Sequence, residues 1–372
     1  MYNKAFKPPK ICPCHVFCLI LWNQKNPIMT PYLSDKIRVL SFFSIIMVLF
    51  IHSSFQDTPE GIEGMSFNIN LQYFISQMLC RCAVPLFFCI SGYLFFLHTE
   101  SGIRAVLVKM RKRFRTLVIP FIVSIIFFLF SFVAINGFLI GGTDEIYEFS
   151  FTENSFLKII YALTADSGTG YPLPFHLWFL RDLIAIVLLS PLLYYIRKHV
   201  NAWIVMAVTF IIATVFVHFP LPTSLFWFLL GSYCLNRKFN LSWVFPTVFL
   251  ALCVVQQVFP HPIWDYFNIP IIILGLISIW TIYDKIVPPN FSLANHPWLM
   301  KACSFTFFIY LFHIPTLYVL RKIMLIPFGH TSLGMAFVYL TAPIVFAIGA
   351  VIVGSLLKRF IPKIYSFCVG GR

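Results

Sequence analysis

The sequence predicts an all-α fold: a polytopic membrane helix bundle of about ten transmembrane helices, both termini on the cytoplasmic side. Three observations carry that prediction. Of 372 residues, 59% are hydrophobic and only 11% charged, whereas soluble domains carry about 25% charged residues. The mean hydropathy is +0.86, and the apolar residues, 44 Phe among them, gather in repeated long runs. The Lys and Arg residues fall in short clusters between those runs, as topology signals do.

The elements follow in order. Residues 1–33 begin basic, hold a short apolar stretch and show no A-x-A-like cleavage site, so a cytoplasmic tail is expected there, or a true start at Met29. Spans are expected at 37–54 and 78–97. The most basic stretch, 104–115, reads RAVLVKMRKRFR and precedes a third span at 117–138. A polar loop, 141–175, holds Asp144, Glu145, Glu148, Glu153 and Asp166. Further spans are expected at 177–196, 202–218, 223–235, 243–259, 267–283, 299–320 and 333–357. Pro220 and Pro222 mark a sharp turn, and the 223–235 stretch is short for a crossing. Residues 34–360 make one transmembrane domain, and 361–372 a short cytoplasmic tail.

This assignment places Lys36, Arg38, the 104–115 run, Arg197, Lys198, Arg237, Lys238, Lys285, Lys358, Arg359 and Lys363 on one face. Asp57, Glu60, Glu63, the acids of the 141–175 loop and Asp265 lie on the other. The positive-inside rule makes the basic face cytoplasmic. Arg321 and Lys322 sit near the opposite end of the 299–320 span, where they either snorkel to the interface or line a cavity. The net charge of +14 is thereby accounted for without nucleic acid. Most of the ten Cys, including Cys80, Cys82, Cys89, Cys234, Cys253 and Cys303, lie in apolar runs and read as small hydrophobes. Cys12, Cys14 and His15 make an incomplete metal-ligand set. No metal and no permanently bound cofactor is expected.

Intramembrane polar residues are costly and are the place to look for function. Arg38 and His52 share the first span, 14 residues apart. That brings them within about 40° of one helical face, roughly 20 Å apart along it. An interfacial anchor and a solvent-facing imidazole are the plain alternative. Arg111, Lys112, Arg113 and Arg115 form either a topology signal or a phosphate-binding wall. His176 opens the 177–196 region, with Trp178 as an interfacial anchor and Arg181 and Asp182 as either a structural ion pair or cavity-facing groups. His313 lies inside the 299–320 stretch with Tyr310 on roughly the same face. Pro315, just beyond, would loosen the helix and free backbone carbonyls. Ser91-Gly92 reads first as a close-packing element. No Gly-rich phosphate loop, H-E-x-x-H or G-x-S-x-G motif is present.

Five segments together resemble acyltransferase family 3, the membrane O-acyltransferases of the O-antigen and peptidoglycan O-acetyltransferase type. They are SDKIRVLSFFSIIMVLFIHSS at 34–54, VPLFFCISGYLFF at 84–96, KMRKRFRTLVIP at 109–120, FHLWFLRDLIAIVLLSP at 175–191 and SFTFFIYLFHIP at 304–315. The resemblance implies a ten-helix enzyme of the bacterial inner membrane. It would move an acyl group, most often acetyl, from acetyl-CoA to a hydroxyl of a cell-envelope glycan or lipid-linked sugar. The family's first-helix Arg and His fall on Arg38 and His52, its basic residues on Arg111, Arg113 and Arg115, its Ser-Gly on Ser91 and Gly92, its aromatic pair on Trp178 and Phe179, and its late Tyr and His on Tyr310 and His313. The Arg-to-His gap is longer here than is usual in the carbohydrate-modifying branch, though both spacings keep one helical face.

On that reading Arg38, Arg111, Arg113 and Arg115 hold the CoA phosphates, and His52 is the general base. Tyr310 or His313 stabilises the oxyanion, and His176, with Trp178, Arg181 and Asp182, positions the sugar. Direct transfer and a covalent acyl-His relay are both open. The rivals are a transporter or exporter of a glycan or lipid-linked precursor, and a structural partner in envelope-polymer assembly.

Overall fold

Thr30 starts the first helix: its hydroxyl accepts from the Leu33 amide at 3.2 Å, and Pro31 opens the first turn. A computed structural model of the chain describes residues 29–55, 65–99, 102–138, 155–168, 170–235 and 242–371. Cys12, Cys14 and His15, Asp57, Glu60 and Glu63, Asp144, Glu145, Glu148 and Glu153, and Arg237 and Lys238 lie outside the described residues. Among those described there is no strand. The helices are α1 (Pro31–His52), α2 (Met65–Tyr73), α3 (Ala83–Phe96), α4 (Ile103–Phe138), α5 (Phe156–Thr164), α6 (Trp178–His199), α7 (Ala202–Val215), α8 (Pro220–Cys234), α9 (Val244–Val258), α10 (Trp264–Ile286), α11 (Pro297–Ser304), α12 (Thr306–Phe312), α13 (Thr316–Leu325), α14 (Ser332–Phe360) and α15 (Pro362–Cys368).

Among the described residues five helices are long and apolar enough to cross a membrane: Phe67–Phe96, which runs through α2 and α3, Ile103–Ser131, Phe175–His199, α10 and α14. The bent pair α12 and α13 makes a sixth if taken as one span. The chain is a multi-pass, all-helical membrane protein. The other expected crossings also fall on helices, but α7 and α9 have only 14 and 15 residues, against the ~20 needed for a perpendicular crossing. Outward faces carry apolar stripes at helical spacing: Ile122, Ile126 and Phe130 on α4, Ile204, Val208, Ile211 and Val215 on α7, and Ile344, Ile348 and Ile352 on α14 are all exposed. A surface of this kind suits lipid rather than water.

Helix α1 is central and packs on α3, α11, α12 and α14. The tightest helix pair is α3 on α8. A Cβ on Gly92 would stand 1.8 Å from the Phe228 carbonyl oxygen, and one on Gly231 2.0 Å from the Cys89 carbonyl oxygen. Two glycines therefore let the backbones touch, as small-residue membrane contacts do.

The basic run at 104–115 belongs to the same helix as the third expected span: α4 starts at Ile103, because RAVLVKMRKRFR holds no Gly or Pro and is mostly good helix formers. One expectation is corrected. The 299–320 stretch is not one helix. It breaks into α11, α12 and α13, with a 77° bend between the last two at His313-Ile314-Pro315, where the Ile314–Pro315 peptide is cis. The 361–371 segment carries a short helix of its own. Pro362 starts α15, Tyr365 and Val369 are buried, and α15 packs against α4.

Candidate active site

The bend between α12 and α13 brings the site together. Pro315 has no amide hydrogen, so the carbonyls before it need other donors. His313 Nδ1 lies 2.7 Å from the Tyr310 carbonyl oxygen, Ser124 Oγ donates to the Leu311 carbonyl at 2.7 Å, and Thr316 Oγ1 donates to the Phe312 carbonyl. A carbonyl only accepts, so Nδ1 of His313 carries the proton and Nε2 presents its lone pair. That Nε2 is buried and has no hydrogen-bond partner.

Two further imidazoles meet His313. The His52 ring, at the last residue of α1, has its centroid 5.2 Å from that of His313, and the His176 ring stands at 5.2 Å on another side. His176 belongs to a 3-10 turn, Phe175–Leu177, that leads into α6. It is buried, and neither of its ring nitrogens has a well-formed hydrogen bond. His52 is half-buried against Phe175, at 5.3 Å between centroids. Three histidines expected on three separate spans thus form one cluster. Among the described residues no three His, Cys, Asp or Glu side chains are placed to hold a metal ion.

Tyr310 plays a different part from the one expected. Its hydroxyl donates to the His176 carbonyl at 3.0 Å, so in this conformation it fixes the His176 turn and is not free as an oxyanion donor. Its ring also lines a cavity of about 310 Å³. From Tyr310 and Phe179 the cavity runs past Ser91 to Arg38 and Arg113. Arg38 is exposed and Arg113 half-buried, and neither has an acidic partner among the described residues. An apolar passage ending on two un-neutralised guanidinium groups is suited to an anion with an apolar tail. Ser91 faces this cavity, so the packing role expected for Ser91-Gly92 belongs to Gly92 alone. Arg111 and Arg115 are exposed and do not line it. Successive positions on α4 point in different directions, and only Arg113 points inward.

The residues read as sugar ligands divide. Arg181 Nε donates to Asp182 Oδ1 at 2.9 Å, and its Nη1 donates to the Ala165 carbonyl at 2.5 Å and the Gly170 carbonyl at 3.0 Å. Asp182 is buried and also accepts from Ser224 Oγ at 2.8 Å. The pair ties Ala165 and Gly170 to α6 and α8, which is the structural alternative. Trp178 packs between Phe88 and Tyr171, with centroids 6.1 Å from each.

Arg321, the charge that fitted the topology poorly, is explained. Its Nη1 donates to the His52 carbonyl at 3.2 Å and the Ser54 carbonyl at 2.7 Å, and its guanidinium lies 4.1 Å over the Phe55 ring. It closes the end of α1 on which His52 stands. Lys36, read as a topology charge, is buried instead, bound to Asp284 at 2.7 Å and lying 3.6 Å over the Trp280 ring.

The comparisons with known proteins bear on this geometry. The model of an acyltransferase domain family, acyltransferase family 3, matches residues 35–358. The chain belongs to this family. The acyltransferase is also similar to Succinoglycan biosynthesis protein ExoH of Rhizobium meliloti (strain 1021), at 24% identity over 368 residues, covering 92% of this chain and 94% of the relative. No solved structure matches it. The acyltransferase transfers groups other than aminoacyl groups, and every part of the site described above lies inside the matched residues.

Proposed function

We propose that the protein is an O-acyltransferase of the bacterial inner membrane, moving an acyl group, acetyl first among candidates, from acetyl-CoA to a hydroxyl of a cell-envelope glycan or lipid-linked sugar. One observation carries the reading: a cavity with Arg38 and Arg113 at one end and Tyr310, beside the His52–His176–His313 cluster, at the other. The similarity to a succinoglycan biosynthesis protein supports a glycan acceptor. In this reading the ten apolar helical stretches cross the membrane, and the end holding Arg38 and Arg113 faces the cytoplasm, where CoA thioesters are found.

The CoA phosphates rest on Arg38 and Arg113 as charge-assisted hydrogen bonds, and the pantetheine arm follows the apolar cavity. The thioester passes the Tyr310 ring to reach the histidines. His52, half-buried at the far end, takes the proton of the acceptor hydroxyl as its oxygen attacks the thioester carbonyl. The carbon–sulfur bond breaks and the CoA thiolate leaves and is protonated. An imidazole titrates near pH 6.5 when unperturbed, so the neutral base is available. His313 holds its lone-pair nitrogen beside His52, and His176 faces the acceptor.

The test is purified protein in lipid vesicles with radiolabelled acetyl-CoA and envelope glycan. Label should appear on the glycan with wild type and not with His52→Ala, at equal protein level and insertion. Full transfer by that variant would remove His52 from its role, and no transfer by wild type would remove the donor assignment.

A further inference from the structure

A second cavity, of about 550 Å³, lies between α2, α9 and α10. It belongs to the same end of the bundle as His52. Gln72 of α2 accepts from the Phe55 amide at 2.7 Å and Ser76 Oγ donates to the Phe50 carbonyl at 2.9 Å, which sets this part of the chain level with the end of α1. Gln257, near the end of α9, donates from Nε2 to the Asn70 side-chain oxygen at 3.3 Å.

Its lining is rich in amides: Asn70, Gln77, Gln256, Gln257 and Asn268 all face it. Gln256 is 7% exposed. The Gln257 Oε1 is buried and has no hydrogen-bond partner among the described residues. A buried amide oxygen without a partner is costly, so this group, among the other amides of the lining, points to a ligand that brings hydrogen bonds of its own. The charges are balanced. Arg81 Nη1 donates to Asn268 Oδ1 at 3.2 Å, and Asn268 Nδ2 donates to Asp265 Oδ1 at 3.4 Å. Trp264 and Tyr73 add aromatic surface.

We infer that this cavity is a carbohydrate subsite, taking an uncharged sugar unit of the acceptor at a distance from the unit being acylated. Amides both donate and accept, as sugar hydroxyls do, and aromatic faces take the apolar face of a pyranose ring. A phosphate headgroup would call for a cationic cluster, whereas the single Arg81 here is linked through Asn268 to Asp265. The inference rests on the acyltransferase reading only for the identity of the sugar as acceptor.

Binding is tested apart from catalysis. The probes are neutral tetrasaccharides of glucose, galactose, mannose and N-acetylglucosamine, added to the full chain in lipid nanodiscs and followed by saturation-transfer NMR. At least one should bind saturably, unchanged in His52→Ala and weakened at least tenfold in Gln256→Ala and Asn268→Ala. The near-isosteric Gln256→Glu and the more exposed Asn268 position keep the test sound if Gln256→Ala folds poorly. No binding by any probe, equal binding by the variants, or a phospholipid held at Arg81 in place of sugar would overturn the inference. Binding that depends on Gln256 in a protein that transfers no label would leave the subsite standing and sink the enzymatic reading. Label transfer with an unchanged KM for glycan in both variants would do the reverse.

Discussion

Arg321 on α13 holds the carbonyl of His52 at the end of α1. The two residues are far apart in sequence, yet one guanidinium fixes the position from which the candidate base acts, with a second bond to Ser54 at 2.7 Å. Hydrogen bonds to charged groups are worth about 1.5–3 kcal/mol, and each 1.4 kcal/mol is about tenfold in rate. Arg321→Ala should therefore lower kcat roughly 10- to 100-fold with little change in KM for acetyl-CoA, and Arg321→Lys should recover part of it. Steady-state kinetics in vesicles decide this. A pure stability effect would leave kcat per folded molecule unchanged.

His52 and His313 should act as one unit. Each Ala variant is expected to lose transfer, and the double variant should be no worse than the poorer single one, as residues in a shared step behave. Single-turnover transfer of labelled acetyl measures it. Additive losses would mean separate roles.

The donor end separates four arginines that look alike in sequence. Arg38→Ala and Arg113→Ala should raise KM for acetyl-CoA about tenfold or more, in line with the loss of a charge-assisted contact of about 1.5–3 kcal/mol. Arg111→Ala and Arg115→Ala should change it less than about twofold, because exposed charges are screened. Equal effects at all four positions would show that the run acts through its overall field.

Asp182→Ala should act on stability rather than sugar affinity. It removes the partner of Arg181 and the acceptor of Ser224 Oγ, and breaking a buried pair costs about 3–5 kcal/mol. Thermal unfolding in detergent should show a clear fall in Tm while KM for the acceptor stays put. A raised KM without a change in Tm would restore the sugar-binding role.

Gly92→Ala and Gly231→Ala should each give poorly folded protein, since the added carbon would overlap a carbonyl oxygen of the facing helix. Yield of monodisperse protein by size exclusion is the measure, with Gly349→Ala, which meets nothing within 4 Å, as the control.

How much of this was legible in the sequence depends on what each feature rests on. Helix α14 could be read directly, because a long apolar run is a local property. The shared face of Arg38 and His52 followed from helical periodicity, and the loosening at Pro315 from the missing amide hydrogen. Sequence could place His52 and His176 near helix ends and His313 inside a span, but not the three against one another, because helix order in space is set by contacts such as Gly92 on Phe228 that no spacing encodes. Arg81 and Gln256 were passed over for a related reason: a polar residue in an apolar run shows that something faces it, not what. Lys36 was misjudged because its partners, Asp284 and Trp280, arrive from a distant helix.

The short helix α12, Thr306–Phe312, has seven residues and ends at the His313 ring. One residue added or removed there would turn that ring by about 100° and move it about 1.5 Å along the axis, away from both neighbouring imidazoles. Substitutions on its outer side leave that register untouched. In this part of the chain, length is the constrained quantity and composition the tolerant one, so a scan of single-residue deletions should trace the active site more sharply than a scan of substitutions.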